Sequence, residues 1–211
     1  MKVIKTYALS EESIEKDIDN FIKEAKKGAF QYDYKYGQEG LKILKAYFRM
    51  LETEFKQNNF IVARTGYKKI LSFLLQKEYE YFNYEDIMSK FNSDKIIGIY
   101  FACLIKTCSV EEFFQEYLEY LKIKEDYYFE SADKVLFNEL SEKDFNKFIL
   151  MVKEQAEIVK EKDYAMYDLI YFLLKLAKSN KNKEEYYQLC DKYEKIVGED
   201  QKGEFNEKEA D

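Results

Sequence analysis

The sequence predicts an all-α fold of about eight to nine helices, stacked as antiparallel hairpins, on three observations. Apolar residues recur at steps of three and four along most of the chain, the spacing that lays a stripe on one side of a helix. Proline is absent from all 211 residues, as suits uninterrupted helices, because proline lacks the N–H that a helix interior needs. The polar breaks between stripes are short, which favours antiparallel neighbours.

Each element follows from this pattern in turn. Residues 2–9 have no helical period and read as an extended arm. Ser10 is the expected N-cap of a first helix, with Glu11 and Glu12 in the first turn. Its stripe is Ile14, Ile18, Phe21, Ile22 and Ala25, and Gly28 is its C′ residue. Residues 29–40 depart from the pattern: Tyr32, Tyr34 and Tyr36 alternate with Asp33 and Lys35, a period of two. These rings either cover the protein's own core or form a partner-binding surface. The stretch 41–75 then carries two stripes, Leu41, Leu44, Tyr47, Phe48, Leu51 and Phe55, and after Gln57-Asn58-Asn59, Phe60, Ala63, Tyr67, Ile70, Leu71 and Leu74. This is a hairpin that needs further helices stacked on it.

Beyond it, Ile87, Met88 and Phe91 suggest a short helix, and Ser93 is the expected cap of a buried helix to about Lys106, within which Gly98 permits close approach of a neighbour. Ser109-x-x-Glu112 reads as a capping box before Phe113, Phe114, Tyr117, Leu118 and Leu121. A short helix over 132–140 follows, then one capped at Ser141-x-x-Asp144. Asp163 is the expected cap of a helix with Tyr167, Ile170, Leu174 and Ala177. The last helix, 184–197, stops at Gly198. With no linker rich in Gly, Ser or Pro, residues 1–198 read as one domain, with a soft boundary near 122–131. Residues 199–211 read as a disordered acidic tail.

Within 41–75, the run Asn58-Asn59-Phe60-x-x-Ala63-x-x-x-Tyr67-x-x-Ile70-Leu71 resembles the second half of a tetratricopeptide repeat. A second copy places Tyr186, Leu189, Tyr193, Ile196 and Val197 against Phe60, Ala63, Tyr67, Ile70 and Leu71, within residues 167–197. The resemblance implies a helical stack that holds a peptide or protein partner.

Composition limits the chemistry. Hydrophobic residues make up 46% and charged residues 36%, a globular balance. The tail holds −4 of the net charge of −7, leaving −3 on the body, so no long-range field draws in nucleic acid. Arg49 and Arg64 are the chain's two arginines, few for phosphate or guanine contacts. Nucleic acid is therefore a poor match. Cys103, Cys108 and Cys190 form no CxxC spacing and suggest a reducing compartment. The residues MKVIKTYALSEES lack the apolar core of a signal peptide, and the longest uncharged run, 96–105, is about half a bilayer span. The expected location is the cytoplasm, with no membrane contact.

The chain has no histidine, which removes Ser-His-Asp and Cys-His pairs and His-ligated metals. No glycine loop for phosphate appears. Glu11, Glu12 and Glu15 resemble half of the magnesium site of all-helical nucleotide pyrophosphohydrolases, but Lys42 stands where the second acidic pair would be completed; the helix dipole explains these acids better. Glu154-x-x-Glu157 with Asp163 is a carboxylate-only magnesium candidate, though such pairs are usually a solvated face. Cys108, beside a helix start, has no basic partner to make it a nucleophile. The expectation is a non-catalytic helical scaffold or adaptor that binds a protein or peptide, without cofactor or metal. The alternative is a regulatory or sensor domain with a small ligand in a helical pocket.

Overall fold

The computed structural model describes residues 13–30, 39–76, 87–124, 130–160 and 163–205. Among these residues 84% are helical and none forms a strand, so the fold is all-α. The helices are α1 (Ile14–Lys26), α2 (Glu39–Lys56), α3 (Phe60–Leu75), α4 (Ser93–Thr107), α5 (Val110–Lys124), α6 (Glu130–Glu139), α7 (Glu142–Glu157), α8 (Tyr164–Ser179), α9 (Lys183–Lys192) and α10 (Glu194–Val197). Where a short helix was expected near residue 88 there is a 3-10 turn, Met88–Lys90. No helix among the described residues is long and apolar enough to cross a membrane.

The helices gather into two compact units, one built on α1–α4 and α6, the other on α5 and α7–α10. The chain leaves the first unit after Ser109, returns for α6, and leaves again after Glu139. The passages after Ser109 and Glu139 carry no compositional mark, because a helix can change partners without a flexible linker.

Local chemistry sets the helix ends. Gly28, at φ 81°, closes α1 as expected, with its N–H bonded to the Ala25 carbonyl. That helix starts at Ile14 behind Ser13 rather than behind Ser10, which lies outside the described residues. The cap of α4 is Asn92, whose side chain accepts from Lys95 N–H; Ser93 Oγ instead donates to the Met88 carbonyl. Asparagine and serine cap equally well, so the one whose backbone is outside the helix takes the role. Ser141 Oγ accepts from Asp144 N–H as expected. Asp163 stands at the N-cap of α8 without a side-chain cap bond.

In the first unit, α3 packs against α1, α2 and α4. Ile18, Leu44, Leu51, Ala63 and Ile70 are fully buried, and Tyr47 Oη donates to the Asp17 carbonyl at 3.0 Å. Gly66 is a close approach. A Cβ there would lie 2.3 Å from Leu51 Cδ2 and 3.2 Å from Ile18 Cδ1, so three helices converge on a position with no side chain. In the second unit Phe148 of α7 is fully buried. Its ring lies 5.4 Å from Phe113, 5.3 Å from Tyr117 and 5.8 Å from Phe172, joining α5, α7 and α8 through edge and tilted ring contacts. Lys124 of α5 is almost fully buried beside Asp168 Oδ2 of α8, at 3.0 Å; a buried ammonium requires such a partner.

The last expected helix is broken at Tyr193 into α9 and α10, and Gly198 (φ 80°) ends α10. Residues 199–205 do not form the disordered tail that their charge suggested. Glu199–Glu204 is a 3-10 segment lying against α9. Tyr186 Oη donates to the Gln201 carbonyl at 3.0 Å, and Phe205 sits 5.1 Å from the Tyr186 ring. One aromatic ring and one amide outweigh the acidic composition here. The remainder of the expected tail, 206–211, lies outside the described residues.

Candidate functional site

A cleft of about 350 Å³ opens in the first unit between α4, α6 and the end of α2. It starts from the sequence of α4. Gly98 has no side chain, and a Cβ there would already touch Ser131 Cβ at 3.4 Å and Val135 Cγ2 at 4.0 Å. The expectation that Gly98 admits a neighbouring helix is met, and the neighbour is α6. The two helices run in the same direction, since Asp94 meets Ser131 near both N-terminal ends and Gly98 meets both Ser131 and Val135. Parallel neighbours need a crossing connection between them, and α5 lies in that connection.

Apolar side chains of Phe55, Ile99, Ala102 and Val135 line the cleft, and Asp94, Lys95, Lys134 and Glu139 bring charge to it. Asp94 Oδ1 accepts from the Ser131 N–H at 3.2 Å, so α4 supplies an acceptor to the first turn of α6. Lys95 bonds Glu52 of α2 at 2.7 Å. Hydrogen bonds from Lys56 and Lys95 hold the Glu52 carboxyl below the usual carboxylate range. Phe55 packs edge-on against Phe60, 5.5 Å between centroids, which ties the cleft wall to the α2–α3 turn. Ser131 Oγ is shielded from solvent and has no hydrogen-bond partner among the described residues. The cleft can hold an apolar group of one or two side chains and orient it by charge at the edge.

The sequence-predicted residues fare differently. Tyr32, Tyr34 and Tyr36 lie outside the described residues. Glu154 and Asp163 are exposed, and Glu157 pairs with Lys192. The described residues hold no group of three His, Cys, Asp or Glu side chains placed to bind a metal. Burial pushes the Cys103 thiol up to about 12 and raises the Cys190 thiol as well, so neither is a thiolate near neutral pH. Cys108 is half-buried, its sulfur 3.9 Å from Thr107 Oγ1. The cleft itself was missed by sequence reasoning. Gly98 was the available signal, but the residues facing it, on α6, are separated from it by the whole of α5.

No family model, curated protein or solved structure matches this chain.

Proposed function

We propose that the protein is a non-catalytic helical module that binds a protein or peptide partner, with the α4–α6 cleft receiving an apolar side chain of that partner. The observation that carries this reading is the combination of an open apolar cleft with charges of both signs at its edge. Apolar filling supplies affinity, while edge charges select orientation and partner. The tetratricopeptide resemblance of residues 41–75 and 167–197 points the same way, as does the absence of histidine from the sequence.

The test is a peptide selected by display on the wild-type chain, with its affinity measured by calorimetry. Ile99 is half-buried in the cleft, so Ile99→Trp fills the space from within. The expected result is a loss of about tenfold or more in affinity, the effect of blocking a central anchor, with an unchanged melting temperature. Equal affinity for both chains would overturn the reading. The volume also suits a small apolar ligand. A compound that raises the melting temperature of the wild type but not of Ile99→Trp would favour that second reading.

A further inference from the structure

The 3-10 segment Glu199–Glu204 lies against α9. Neither it nor α10 buries a residue of its own. Yet Tyr186, which it contacts, and Cys190, one turn further along α9, are both only 1% exposed. The segment is held at a few points. Tyr186 Oη donates to the Gln201 carbonyl and accepts from Gln201 Nε2 at 3.1 Å. Phe205 lies against both Tyr186 and Tyr187. Lys202 pairs with Asp191 and, at 3.9 Å, with Glu194, both acids being exposed. Burial raises the Cys190 thiol, with Lys202 opposing the shift and Glu204 adding a smaller push upward. Gly198, at φ 80°, supplies a joint with no side-chain contact to hold it.

We propose that residues 199–205 are a detachable strap that closes over α9 and uncovers Tyr186 and Cys190 when it swings away at Gly198. The energetics favour local release. Exposed ion pairs contribute little to stability, and segments without buried side chains open far below the global unfolding free energy. Opening leaves α9 packed on α8 and presents an aromatic face at the end of the second unit. Such a face suits an aromatic side chain arriving in place of Phe205.

The three cysteines report on this directly. Alkylation of the full chain with N-ethylmaleimide, resolved residue by residue by mass spectrometry, is followed over a range of low urea concentrations. Cys190 is expected to react more slowly than half-buried Cys108, at a rate almost independent of urea, because strap opening exposes little surface. Cys103, fully buried in the first unit, is expected to react slowest, with a steep urea dependence. Phe205→Ala and Gln201→Ala are each expected to speed Cys190 about tenfold while leaving Cys103 unchanged. Urea dependence as steep for Cys190 as for Cys103 would overturn the proposal, as would variants that leave Cys190 unchanged or speed both residues. If a variant fails to fold, the wild-type urea series decides alone.

Discussion

In the α2–α3 hairpin the first helix ends on Asn58 at φ 65°, with the Asn59 N–H bonded to the Glu54 carbonyl and the Asn58 N–H to the Phe55 carbonyl. The α8–α9 hairpin has the same turn. Lys181 stands at φ 53°, Asn182 N–H bonds the Ala177 carbonyl, and Lys181 N–H bonds the Lys178 carbonyl. Both are Schellman closures, followed in each case by an asparagine at the next helix's N-cap. Matching the turns pairs Ala63 with Tyr186 and Tyr67 with Cys190, and all four are buried. Matching the sequence stripes instead pairs Phe60 with Tyr186, about one helical turn further on. A stripe repeats nearly every turn, so stripes alone do not distinguish these registers; the turn does.

The hairpins part company in their second helix. α3 meets helices on several sides and buries Ala63, Gly66, Tyr67, Ile70, Leu71 and Leu74. α9 buries Tyr186 and Cys190, packs on α8, and is covered by the strap. One turn chemistry therefore serves both a helix in the middle of a core and a helix at its margin.

Four changes break or sharpen this comparison. Gly66→Val should cost about 3 kcal/mol in urea unfolding, because its side chain must displace fully buried Leu51. A neutral result would mean that α3 is not wedged between its neighbours. Tyr186→Phe removes the hydroxyl shared with Gln201 and should cost about 1 kcal/mol, read as an earlier unfolding midpoint with unchanged slope. Lys181→Gly should stabilise by up to about 1 kcal/mol, since a lysine is strained in the left-handed region. Asn58→Gly should gain less, because asparagine already tolerates that region; equal gains would remove the distinction between the two turns.

The smallest effect appears only in alkali. Burial raises the Tyr67 hydroxyl as well as the Cys103 and Cys190 thiols. Each is an acid that keeps its proton to higher pH when folded than when unfolded. Between the unfolded and folded values the native chain binds more protons, so stability falls as pH rises. The fall should begin near pH 9, where a free thiol titrates, and be absent at neutral pH. It should shrink in Cys103→Val, measured as the urea midpoint at pH 8 against pH 10.

Much of the fold was legible because its causes are local. Steps of three and four marked most of the helices, Gly28, Gly198 and Ser141 marked ends, and Gly98 announced a close neighbour. These signals work within a turn or two of the backbone, where spacing and dihedral preference decide. Only the tertiary structure decided that the partner of Gly98 is Ser131 on a parallel helix, that Gly66 of α3 lies against Leu51 and Ile18 of two other helices, and that Phe205 holds an acidic segment onto Tyr186. Each depends on which surfaces meet across many intervening residues. An amphipathic stripe states that a face will be buried but not against what, and the cleft, the strap and the two-unit division all follow from that choice of partner.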